Sequence, residues 1–194
     1  MTFDITKEGD LLFLLSDLRD WKLFENIVVD AQGSGEGWLA KRLGVLMDDE
    51  DWDEYVAPSL SEQFQGDIAL VSKALRESYE EFLARPDLPE SSPTESEIED
   101  EEAPDEEGDF DEDEEDEVED YGKLLITKET SGAWYSVFNQ ARLALEGKWK
   151  LSALEAEEDE EILTNIEPER IAAHFRYDFY SHIQWLLLNH LMEL

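Results

Sequence analysis

The sequence predicts a mainly α-helical single domain that opens with a small β-hairpin and is interrupted by an acidic loop. Three observations lead there. Apolar residues recur at three- and four-residue intervals in four long stretches. Two short apolar runs flank a glycine-containing turn at the start. From Pro86 to Asp120, 35 residues carry 21 Asp and Glu, no Lys or Arg and four of the six prolines. Such a segment holds too little apolar surface, Ile98, Phe110 and Val118 among it, to offset about 1–2 kcal/mol of ordering entropy per residue. It reads as a disordered acidic loop or linker, so 1–85 and 121–194 form one helical domain around it.

In chain order, Thr2–Thr6 and Leu11–Leu15 form the hairpin about Lys7-Glu8-Gly9-Asp10. Ser16 suits an N-cap for a first helix, whose stripe is Leu18, Trp21, Phe24, Ile27, Val28 and Ala31 until Gly33, Gly35 and Gly37 end it. An acidic cluster at Asp48–Glu54 precedes Pro58 and the second helix, marked by Leu60, Phe64, Ile68, Val71, Leu75, Tyr79 and Phe82. Lys123–Ile126 fits a third short strand, with Thr127 as cap of a third helix through Trp134, Val137, Phe138, Ala141 and Leu145 that Gly147 closes. Residues 152–165 read as loop or weak helix. Pro168 starts a fourth helix running nearly to Leu194. Its Trp185-Leu186-Leu187-Leu188 makes it apolar almost all round, which suits a central place in the core or a surface open to a homodimer.

Charge bounds the partners. The chain holds 52 acidic and 15 basic residues, a net charge of −37. Without residues 86–120 it still holds 31 acidic groups against the same 15 basic ones. Neither half has the clustered Lys and Arg that nucleic acid or an anionic membrane requires. A protein partner is the expectation. The absence of cysteine removes disulfides and thiolate chemistry, and no apolar run approaches the roughly 20 residues of a spanning helix. The acidic opening residues lack the pattern of a secretory signal, so a cytoplasmic location is expected.

The stretch AWYSVFNQARLALEGKWKL, Ala133–Leu151, resembles the signature of an uncharacterised actinobacterial family, the domain-of-unknown-function family numbered two thousand and seventeen. Ala133, Trp134, Asn139, Arg142, Leu143 and Leu145 occupy the matching places, and Tyr177-Asp178 followed by Gln184 is similar to the family's C-terminal pattern. The order of elements is also similar. The chain departs from the pattern around its second helix, at Ser59–Leu75, and in the length of its acidic insertion. The resemblance implies a bacterial protein with no established activity, and the residues themselves lead to no expected cofactor. It singles out Asn139, Arg142, Tyr177, Asp178 and Gln184 as polar positions.

Each candidate has a plainer reading. Asn139 and Arg142 share one side of a helix. They suit an interhelical pair, Arg142 with Asp178, more simply than a reactive site. An enzyme would need Asn139, Arg142, Tyr177 and Asp178 around an open cleft. His174, His182 and His190 lie eight apart, so successive rings stand about 80° apart on one helix and cannot converge on a metal. The GSGEG at 33–37 lacks the Lys-Ser/Thr of a phosphate loop and reads as a turn. Asp109, Asp111 and Asp113 imitate calcium ligands, but Glu114 stands where the loop needs glycine. The acidic run serves as a tether, a docking element for a basic partner, or a mimic of nucleic-acid charge. With no legible nucleophile, base or metal set, the sequence favours a non-catalytic interaction or regulatory protein.

Overall fold

The computed structural model describes residues 1–35, 37–47, 51–84, 122–152 and 167–192. The expectations for the acidic loop at 86–120, the calcium-like aspartates within it and most of the 152–165 stretch lie outside these residues. Helix makes up 74% of the described residues, so the class is mainly α.

Strands β1 (Thr2–Ile5) and β2 (Leu11–Leu15) form the expected hairpin. The turn closes by hydrogen bonds from the Thr6 amide to the Asp10 carbonyl and from the Gly9 amide to the Thr6 carbonyl, both 2.9 Å. The third strand, β3 (Gly122–Ile126), pairs antiparallel with β2, giving the order β1-β2-β3. Leu11, Phe13 and Leu15 of β2 and Leu124 and Ile126 of β3 are buried. Only one face of the sheet supplies these core residues, which follows from the two-residue period of a strand.

Among the described residues there are five helices, one more than the sequence stripes indicate: α1 (Leu18–Gln32), α2 (Trp38–Met47), α3 (Ala57–Leu83), α4 (Ser131–Trp149) and α5 (Pro168–His190). Helix α2 has no expected counterpart. Of its side chains, Leu39 and Ala40 are buried while Val45 and Leu46 are exposed, so it shows no sustained apolar stripe. Tertiary bonds hold it instead: Trp38 Nε1 donates to the Ala31 carbonyl at 3.0 Å and Arg42 Nη1 to the Leu143 carbonyl at 3.2 Å. A π-helical turn at Trp52–Val56 leads into α3, with Pro58 in its first turn as expected.

Three helix ends differ from expectation. The N-cap of α1 is Asp17, not Ser16; its carboxylate accepts from the Arg19 and Asp20 amides, while Asp20 reaches back to the Ser16 amide and hydroxyl. Helix α4 begins at Ser131, one turn beyond the expected cap Thr127, whose hydroxyl accepts from the Thr130 amide at 3.3 Å while its own amide donates to the Thr130 hydroxyl at 3.2 Å. Gly147 does not close α4, which continues to Trp149 and ends on Lys150 in the left-handed region, φ 54°. A β-carbon at 147 would lie 2.6 Å from Arg42 Nη1, the far end of a flexible side chain that can give way.

The core is an aromatic column linking the sheet to the helices. Phe13 meets Phe24 at 5.5 Å between ring centroids, Phe24 meets Trp134 edge-on at 6.4 Å, and Phe138 meets Tyr180 at 5.8 Å. Trp21 of α1 lies against Tyr79 and Phe82 of α3. The central helix is α4, which packs against α1, α3 and α5. The last helix is therefore not central: Leu186 and Leu187 are buried, but Trp185 faces outward. Among the described residues, no helix is long and apolar enough to cross a membrane.

Candidate functional site

Helix α4 turns Trp134, Val137, Phe138, Ala141 and Leu145 into the core, which leaves Tyr135, Asn139 and Arg142 on a flanking face at i, i+4 and i+7. Arg142 lies against α5. Its Nη1 donates to Gln184 Oε1 at 2.6 Å and its Nη2 to the Tyr177 hydroxyl at 3.1 Å, with the guanidinium carbon 4.8 Å from the Tyr177 ring centroid. Gln184, almost wholly buried, passes its own Nε2 to the Tyr135 carbonyl at 3.3 Å. The result is a clamp between α4 and α5: a charge-assisted bond on one side of the Gln184 amide and a backbone acceptor on the other. Arg142 Nε is buried without a hydrogen-bond partner among the described residues.

The expected Arg142–Asp178 pair does not form. Asp178 Oδ2 instead lies 3.0 Å from His174 Nδ1, one turn back on α5. Thus Arg142, Tyr177 and Gln184 come together, Asp178 stands on another side of α5, and Asn139 is half-buried outside the clamp. The histidines stay apart: His174 serves Asp178, and His182 stacks on Trp185 at 6.1 Å. No group of three potential metal ligands occurs among the described residues.

Two further polar groups were not legible in the sequence. Asp30 of α1 receives Arg176 Nε at 2.7 Å and Nη2 at 3.4 Å, and the Tyr180 hydroxyl donates to it at 2.9 Å. Burial, followed by the Asp30 charge, pushes the Tyr180 hydroxyl far above the ordinary tyrosine range, so it remains a donor. Arg176 and Tyr180 at i, i+4 hint at a shared acceptor, but nothing local points to Asp30. Between α3 and α4, Gln140 donates to the Ser136 hydroxyl at 3.3 Å, and Ser136 bonds the Asp67 carboxyl. Burial raises that carboxyl above its usual value, with the Ser136 bond opposing the shift.

Two clefts open at the surface. One, of about 690 Å³, lies where α1, α2 and α4 converge, lined by Asp30, Gly33, Ser34, Trp38, Arg42 and Lys148 among others. The expected turn at Gly33 forms its wall: Gly33 has φ 53°, and a β-carbon there would meet the Trp38 indole at 2.5 Å. The second, of about 450 Å³, runs between β1 and α5 beside Phe3, Phe13, His182 and Leu186. Asn139, Arg142, Tyr177, Asp178 and Gln184 line neither. No family model, curated protein or solved structure matches the chain.

Proposed function

We propose that this is a non-catalytic interaction or regulatory protein that binds a basic protein partner through its acidic loop and helical domain. The supporting observation is how the described cations are spent. Arg142 serves Gln184 and Tyr177, Arg170 serves the Trp149 and Lys150 carbonyls, and Arg176 serves Asp30. Three of the arginines thus tie helices together rather than forming a basic patch, and the chain as a whole carries 52 acidic residues against 15 basic ones, a net charge of −37. Such a surface attracts cationic partners over about 8 Å at physiological ionic strength. The family resemblance, resting on the Ala133–Leu151 and Tyr177–Gln184 stretches, belongs to the same reading and brings no activity with it.

The test is binding of a panel of purified basic proteins by the full chain beside a deletion of 86–120, at about 50 and about 500 mM salt. Binding that falls with salt and weakens in the deletion supports the reading. Binding indifferent to both contradicts it. Turnover of a substrate that Arg142→Ala abolishes would establish the enzyme reading instead. Salt-sensitive capture confined to DNA-binding proteins would point to nucleic-acid mimicry.

A further inference from the structure

Helix α5 has a second stripe that the fold does not use. Its buried residues are Ala173, Tyr180, Ile183, Gln184, Leu186 and Leu187. On the opposite side, Ile171, Phe175, Asp178, His182, Trp185 and Asn189 are exposed. At about 100° per residue these six fall within about 80° of one another, centred opposite Tyr180. Their spacing alternates four, three, four, three and four, the 3.5-residue repeat that lets one helix lie along another. Three of the six are large apolar residues left in water: Ile171 at 54% exposure, Phe175 at 63% and Trp185 at 56%. Singly exposed apolar residues are ordinary; three on one seam of one helix are not.

The order of residues along the seam says what covers it. The alternating spacing makes the positions symmetric about Tyr180 whatever residues fill them, so the information lies in their chemistry: the pair two residues either side is a carboxylate and an imidazole, Asp178 and His182, the pair at five is two aromatic rings, Phe175 and Trp185, and the pair at nine is Ile171 and Asn189. We infer that α5 pairs antiparallel with α5 of a second copy of this chain about a two-fold axis through this point. In that pairing Asp178 faces the second copy's imidazole at position 182, and Phe175 faces the second copy's indole at position 185, each contact occurring twice as an isologous interface demands. A parallel pairing would set carboxylate against carboxylate and imidazole against imidazole, so the charge order selects the antiparallel one. Asp178 is more than half exposed and bonds only its own His174 among the contacts described, leaving lone pairs for the incoming ring. His182 is already held flat against Trp185, which orders both groups before association.

The dimer goes beyond the proposed binding of a basic partner and does not depend on it. Sedimentation of the full chain over a concentration series tests it directly. The expected result is a reversible rise from 22.4 kDa to twice that mass. Trp185→Asp should weaken association about 30-fold or more, the scale of a lost aromatic anchor. His182→Asp, which opposes two carboxylates, should weaken it as well. The double swap Asp178→Lys with His182→Asp, which exchanges the charges, should restore it to within about threefold of wild type. A wild-type chain that stays monomeric throughout, or a double swap no better than His182→Asp alone, would overturn the proposal. Unchanged salt-sensitive binding of a basic protein by Trp185→Asp would show that the partner reading stands whatever becomes of the dimer.

Discussion

The two sides of α5 obey different rules. On the inner side every large residue meets the core or a named polar partner: Tyr180 and Arg176 converge on Asp30, and Gln184 sits between Arg142 and the Tyr135 carbonyl. On the outer side Phe175 and Trp185 meet mostly water, and the Asp178 carboxylate meets His174 of the same helix. A helix can thus be apolar almost all round without being central. The inner side answers to the fold, while the outer side leaves Phe175 and Trp185 exposed. Polar residues with partners across 35 to 150 positions of sequence belong to the first class, however much they resemble a site.

Substitutions separate the two sides by size of effect. Asp30→Ala should cost most, about 3 kcal/mol, because it strands the Arg176 charge and the Tyr180 hydroxyl together; denaturant melts read this, and a loss under about 1 kcal/mol would mean the network is wetter than its contacts suggest. Gln184→Leu comes next at about 2 kcal/mol, since the Arg142 guanidinium and a backbone acceptor each lose a bond while the volume is roughly kept. On the outer side, Trp185→Asp measured at concentrations too low for association should move stability by no more than about 0.5 kcal/mol. A large loss there would make the indole part of the fold.

The smallest effect lies off α5 and serves as a control. The Asp67 carboxyl is raised in the folded state, so the stability tied to its proton is present below the ordinary carboxylate range and lost as pH rises through the raised value. Asp67→Asn should therefore raise the melting temperature at neutral pH by about 1–2 °C. The gain should disappear as the pH falls below about 4. A gain that persists in acid would assign the effect to something other than the charge.

Local periodicity carried most of the fold. The stripes of α1, α3, α4 and the inner side of α5 appear in the sequence because each buries a continuous face, and β2 is legible because its apolar residues lie between turn signals. Helix α2 is not legible, since it lacks a sustained apolar stripe and is held by an indole bond to the Ala31 carbonyl, seven residues back, and a guanidinium bond to the Leu143 carbonyl, 101 residues on. The candidate site was legible as a set of residues but not as a geometry. Arg142, Tyr177 and Gln184 do meet, whereas the partner expected for Arg142 was the wrong neighbour: Asp178 and Tyr177 are adjacent in sequence and about 100° apart on the helix. Which of Trp185, Leu186 and Leu187 turn inward depends on where α4 lies, and that is a tertiary fact.

The central claim, that the outer side of α5 receives a second copy in the antiparallel register, can be read from cross-linking because the chain has no native cysteine. Ile171→Cys and Asn189→Cys chains leave the central aromatic and charged residues intact. Mixed and oxidised, they should give the 171–189 disulfide between two chains and little of either self-linked product, since identical positions at these ends stand about 27 Å apart along an antiparallel pair. Self-linked 171–171 and 189–189 dimers in place of the mixed product, or no cross-link at all, would contradict the account.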